Sequence, residues 1–309
     1  MGSTENWRIT PHNRNLGLPA ALLAGIFWSL AGLIYRWIDT ASAWQVLFYR
    51  SFSLFVALLI WLLIRYRCDI FKVLKNSGLP AVAGGACLSL AFTGYILALD
   101  NTSVANAMFA LAAAPFFTAI LARILLKEEI SRAIWFAMSV TAIGLIIMTN
   151  GELRSGGGLG NLFAISAALG FSGMTISLRS RVEVDMLPTI LYASFFASMF
   201  SALAVISSGD TFILLPMDLG FSISLGLFQI GLGFLCFTFA ARHLPAVELT
   251  LLSLTEIIVG PIIVWLGIGE IPSYSTLTGG AFIMFSIVII AILGARQPHC
   301  STTIKTHFS

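Results

Sequence analysis

Two stretches of this chain follow one plan, and that repetition limits the possible folds more than any other feature. Ala98 to Glu129 reads ALDNTSVANAMFALAAAPFFTAILARILLKEE, and Ala240 to Ile271 reads AARHLPAVELTLLSLTEIIVGPIIVWLGIGEI. A shift of 142 positions lays Glu128 on Glu270 and Ser131 on Ser273. In each copy a short polar break opens a long apolar run that closes on a carboxylate. About 20 helical residues at 1.5 Å each cross a roughly 30 Å hydrocarbon layer, so each run reads as one membrane-spanning helix ending at the water interface. The preceding helices repeat at a shift of 143, which lays Trp28 and Ser29 on Phe171 and Ser172, and Arg36 on Arg179.

Composition leaves lipid as the main solvent. The chain is 58% hydrophobic and 10% charged, against about 25% charged residues in a water-soluble domain. The net charge of +3 gives no reason to expect nucleic acid as a partner. Cys87 and Cys236 fall in apolar runs and Cys68 and Cys300 in basic stretches, so no disulfide framework is implied. The polar opening MGSTENWRITPHNRN lacks the pattern of a cleaved signal, and the first apolar run is expected to remain as a helix.

Punctuation by Gly, Pro and charge divides the chain into ten spans: Leu18 to Ile38, Ala43 to Ile64, Leu79 to Leu99, Ser103 to Leu126, Arg132 to Thr149, Leu159 to Leu178, Pro188 to Ser207, Leu219 to Ala240, Ala246 to Ile268 and Thr276 to Leu293. The Gly-rich tract Gly151 to Asn161 is the seam, giving halves 1–150 and 151–309. With the amino terminus inside, 14 of the 17 basic residues fall on the cytoplasmic side, Arg36 and Arg154 fall outside, and Arg50 lies within a span. The positive-inside rule therefore places both termini in the cytoplasm. Five spans per half reverse the second half relative to the first. The expected fold is an all-α membrane protein of ten transmembrane helices arranged as two inverted five-helix repeats.

These features resemble the ten-helix, EamA-type members of the drug/metabolite transporter superfamily over nearly the full chain. That family carries a small-residue fourth helix in each half, with a Pro or a Glu-Pro pair and a Glu about four turns downstream. Here Pro115 leads to Glu128 and Glu256 leads to Glu270, while Ile257 stands where the second-half motif commonly has Pro and Pro261 follows. Arg50 resembles the Arg often found in the family's second span. The resemblance implies a cavity lined by spans one, three, four, six, eight and nine and backed by spans five and ten. It also points to a secondary transporter exporting amino acids or related small metabolites by alternating access. The alternative is an importer of a nucleoside-like or organic-cation solute, and localisation is expected in the cell inner membrane.

Residue chemistry gives an independent list of candidates. Inverted repeats place a substrate site at the midplane, and polar groups are costly on lipid-facing surfaces. The inward-facing candidates for a small-molecule substrate are therefore Trp28, Ser29, Tyr95, Asn106, Phe171, Ser172, Gln229, Phe237, Ser253 and Glu256. For the small polar residues the competing reading is helix packing. Glu256 lies mid-span, where a carboxylate costs a few kcal/mol unless neutral, paired or wet, so it binds substrate or a coupled proton, or else makes a structural hydrogen bond. Arg50, about 10 Å into span two, either snorkels to the outer headgroups or caps carbonyls, or else it attracts an anionic group or pairs with a carboxylate. Pro115 is expected to open the backbone of span four. Glu128 and Glu270 read as solvated helix ends, and the basic run Arg65 to Lys75 as a loop against lipid headgroups.

Three function classes compete at this point. A transporter accounts for the inverted repeat, the inward polar faces and the short loops together. An intramembrane enzyme would need a catalytic constellation, yet His12, His243, His299 and His307 lie outside or at the ends of spans and HExxH is absent. A structural membrane protein would not need Glu256 or Pro115 at depth. No GxxxxGK[ST] is present, so the expected driving force is a substrate gradient or a coupled ion. No cofactor or metal is expected.

Overall fold

Without water to satisfy backbone N–H and C=O groups, an apolar run in lipid closes its hydrogen bonds within itself as a helix. The structure, a computed structural model, describes residues 14–125, 132–155, 158–179, 187–241 and 255–294, and its regular elements there are all helical. They are α1 (Arg14–Arg36), α2 (Ala43–Tyr66), α3 (Ile70–Asn101), α4 (Val104–Leu125), α5 (Arg132–Ser155), α6 (Gly158–Arg179), α7 (Leu187–Ser208), α8 in three pieces (Pro216–Ser224, Leu225–Leu232, Gly233–Ala241), α9 (Thr255–Ile268) and α10 (Tyr274–Gly294). Large apolar side chains such as Phe52, Leu63, Phe200, Leu203 and Trp265 point outward, as suits a protein whose solvent is lipid. The expected start of span nine, with Ser253, and Glu128 at the end of span four lie outside the described residues.

Local chemistry fixes several helix ends. Ser42 caps α2 in a capping box: its hydroxyl accepts the Gln45 N–H, and its own N–H donates to Gln45 Oε1 at 2.8 Å. Ser103 caps α4 by accepting the Asn106 N–H at 3.2 Å. The basic run Arg65 to Lys75 is helical, not a loop. After a 3₁₀ turn at Arg67–Asp69, α3 begins at Ile70, supported by the Lys72–Asp69 pair at 2.7 Å, and bends at Gly78, whose φ of 65° is a left-handed value that glycine adopts without a Cβ clash.

Contacts between loops reveal the relative direction of the halves. Arg36 at the end of α1 bonds to Glu270 beyond α9 and to the carbonyls of Leu99 and Thr102 at the end of α3. Asp218 at the start of α8 accepts the N–H groups of Thr40 and Ala41 in the α1–α2 loop. Asn106 near the start of α4 donates to Asn161 near the start of α6. All these ends share one face, which α1 reaches at its carboxyl end and α6 at its amino end. The first helices of the two halves are therefore antiparallel, as an inverted repeat requires.

Packing relies on small residues, because lipid supplies no hydrophobic drive between helices. α3 lies along α6, with Gly94 against Ser166 and Ala167, and Gly170 against the backbone of Cys87 and Ala91. α5 and α10 pack together and share a buried Thr141–Ser286 hydroxyl bond of 2.6 Å. Gly226 of α8 sits so close to α2 that a Cβ there would strike the Arg50 carbonyl and Ser53 Oγ. A backbone carbonyl cannot swing aside, so Gly226→Ala is expected to destabilise by about 1–3 kcal/mol. A lowered thermal midpoint in detergent is the readout, and Ser53→Ala would recover only the hydroxyl part of the loss.

Candidate functional site

Trp28 of α1 is held by two phenyl rings of α8, Phe234 and Phe237, at centroid distances of 5.3 and 5.4 Å. Its carbonyl accepts from Gln229 Nε2 at 3.3 Å. Gln229 itself lies in Leu225–Leu232, where α8 winds as a π-helix. Wider winding of this kind is rare and recurs at functional sites. Here it presents the consecutive residues Gln229 and Ile230, with Phe234, to the same space.

That space is a cavity of about 200 Å³. Its polar lining comes from Arg50 of α2, Tyr95 of α3, Gln229 of α8 and Glu256 of α9, and its apolar walls include Trp28, Phe92, Met108, Phe171 and Phe234. Lining residues thus come from α1, α3, α4, α6, α8 and α9, the six expected spans, with α2 as an addition through Arg50. Arg50 does not snorkel. It is 3% exposed, its guanidinium lies 5.1 Å from the Phe92 ring centroid, and its Nε and Nη1 have no hydrogen-bond partner among the described residues. Tyr95 Oη and Gln229 Oε1 are equally buried and unpartnered. A buried polar atom left unpaired costs about 1–3 kcal/mol, and four such atoms belong to residues that line this one cavity.

Glu256 is half-buried at the cavity wall, and no ion pair within 4.0 Å joins it to Arg50 among the described residues. The cavity therefore holds a guanidinium and a carboxyl group apart from one another. Pro115 also lines it. α4 stops at Leu111 and resumes at Ala114, so Pro115 stands in the first turn of the second piece, where its missing N–H costs no helical bond. The opening expected at Pro115 falls at Ala112 and Ala113, just before it. α9 runs unbroken from Thr255 to Ile268 with Pro261 inside, and Ile257 lines the cavity.

Four other candidates stand away from the cavity. Ser29 donates to the Ile26 carbonyl at 2.7 Å within its own helix, and Ser172 donates to Ala168 and, across to α4, to Ala114. A short hydroxyl reaches the carbonyl of the preceding turn, so neither needs a ligand. Asn106 Nδ2 donates to Thr102 Oγ1 and Asn161 Oδ1, its buried Oδ1 has no partner among the described residues, and the residue does not line the cavity. Phe237 packs against the Trp28 ring and does not line the cavity. Ser253 lies outside the described residues. Leu88, Met108, Leu111, Ile230 and Phe234 complete the walls, and apolar residues in apolar runs give no sequence signal that separates cavity from lipid. Glu270 is not simply solvated: it accepts from Arg36 Nε and the Val104 N–H at 2.9 and 2.7 Å.

The model of the EamA-like transporter family matches residues 15–150 and again 158–292. Two uncharacterized transporters of Helicobacter pylori are each 26% identical: one from strain J99 over 204 residues, 62% of this chain and 67% of that protein, the other from strain 26695 over 188 residues, 59% and 62%. The chain thus spans about two thirds of the curated relatives it matches. A protein of known crystal structure shares the fold at a TM-score of 0.62 and 16% identity, over 91% of this chain and 98% of its own.

Proposed function

The chain belongs to the EamA-like transporter family, and from that premise we propose that it exports amino acids or related small metabolites, using the Arg50–Glu256 cavity as the binding site. The observation that carries this reading is a guanidinium and a carboxyl group held apart in one apolar-walled space. A zwitterion brings a carboxylate to Arg50 and an ammonium to Glu256, while Tyr95 and Gln229 complete its hydrogen bonds. The aromatic walls take an apolar side chain. About 200 Å³ lies below the roughly 300–1,000 Å³ typical of drug-sized ligand sites, which favours a small solute.

An organic cation would meet Glu256 but also the like charge of Arg50, and a neutral nucleoside would leave both charges unmatched. Glu256 is the group through which a coupled proton would act. The basic-residue bias supports an inner membrane with both termini in the cytoplasm, and the bonded face at Arg36 then points outward, consistent with loading from the cytoplasm.

Thermal stability of the purified protein against matched solutes tests the reading, because a ligand that binds only the folded state raises the midpoint. Apolar amino acids should raise it, and their N-acetylated and decarboxylated counterparts should not. An equal rise with the decarboxylated amines, or with nucleosides, would refute it.

A further inference from the structure

Accepting that the protein transports, we infer that Arg36 and Glu270 form a latch that closes the cavity on one face and must part in every cycle. Arg36 uses all three guanidinium nitrogens: Nε on Glu270 Oε2 at 2.9 Å, and Nη1 and Nη2 on the carbonyls of Leu99 and Thr102 at 2.8 Å each. Glu270 Oε1 takes the Val104 N–H at 2.7 Å. The cation thus sits on the carboxyl end of α3 and the anion on the amino end of α4, each opposite in sign to the helix end it meets. Together they read one corner, Leu99 to Val104, and a shift of that corner breaks both sets of bonds at once.

The latch spans the cavity rather than strengthening one wall. α1 and α9 pack together and carry Trp28 and Glu256 into the cavity. The α3–α4 corner belongs to the helices that carry Tyr95 and Met108 into it. Trp28 lies eight residues before Arg36, about 12 Å deeper along α1. Between latch and cavity, Val104 fills the space beside Gly32 and Met108 the space beside Gly260, an apolar seal under the charges. Tyr35 Oη donates to Asp100 Oδ1 at 2.9 Å and adds one more tie from α1 to α3. A solute leaving by this face must separate α1 and α9 from that corner. At 26% and 22% side-chain exposure, the two latch residues remain within reach of water when released.

Thiol accessibility tests this without any transport substrate, so its failure is distinct from failure of the amino-acid reading. The native cysteines are replaced, Leu111→Cys reports from the cavity, and Ile213→Cys, at an 84% exposed position, marks the latch face. A charged, membrane-impermeant thiol reagent is applied to proteoliposomes from that face. With the latch intact, labelling at the cavity is slow. Glu270→Gln should accelerate it about tenfold, the weight of one charge-assisted hydrogen bond, and Arg36→Lys by less, since an ammonium cannot hold the three acceptors in a fork. Exchanging the charges, Arg36→Glu with Glu270→Arg, should leave the face open, because a carboxylate cannot donate to the Leu99 and Thr102 carbonyls. Unchanged labelling in folded Glu270→Gln protein would overturn the latch. So would equal acceleration from both faces, which reports loosened packing, or full protection restored by the exchange, which reports a plain ion pair.

Discussion

Glu256→Gln should leave the protein folded and reduce amino-acid flux about 30-fold or more, together with its dependence on pH. Gln matches Glu in shape and keeps its hydrogen-bonding capacity, so a purely structural bond at this position would largely survive. The charge does not. Removing one partner of a desolvated charge pair costs about 2–5 kcal/mol, and each 1.4 kcal/mol is a factor of ten. In the wild type, acidification that protonates Glu256 should weaken flux, because a neutral carboxyl no longer holds the substrate ammonium. In the variant that response should vanish. Initial rates in proteoliposomes across a pH series, with retained thermal stability as the control, decide the matter. Wild-type flux with the wild-type pH profile would remove Glu256 from the site.

Arg50→Met should abolish carboxylate recognition while leaving the thermal midpoint of the empty protein unchanged or higher. Two guanidinium nitrogens have no partner, and Arg50 is 3% exposed. A buried charge without full compensation weighs against folding, and replacing it with an apolar side chain of similar length removes that burden. Stability and binding are therefore expected to move in opposite directions, as they do where a site is kept strained for function. Solute selectivity separates the two charges further. Decarboxylated amines, which the wild type should not bind, should gain affinity in Arg50→Met because the like charge of Arg50 is gone, and should not gain it in Glu256→Gln. A midpoint that collapses in Arg50→Met, with loss of every ligand alike, would make Arg50 a structural residue.

Much of the cavity can be traced to residues that stand out in the sequence. Trp28, Tyr95, Phe171, Gln229, Glu256 and Pro115 are polar, aromatic or helix-breaking residues inside apolar runs, and all six line it. Ser29, Ser172 and Asn106 carry the same kind of signal and do not. A hydroxyl in a helix can bond the carbonyl one turn back, and an amide can find a second amide, so polarity at depth marks an inward face without saying whether a ligand or a neighbour meets it.

What the sequence determined by itself is what depends only on local chemistry. Length and apolar content set the spans, since a chain in lipid has to satisfy its backbone within each run. The placement of Arg and Lys and the repeat at shifts of 142 and 143 implied two halves of opposite direction. Tertiary structure decided the rest, because a helix's rotation about its own axis is set by the neighbours it packs on. Depth along α2 was legible, and it left Arg50 free to reach the headgroups or the interior. Only its burial and the ring of Phe92 beside the guanidinium show that it turns inward to share a cavity with Glu256. Arg36 and Glu270 likewise read as separate helix ends in the sequence, and they meet because α1 and α9 pack side by side and end on the same face.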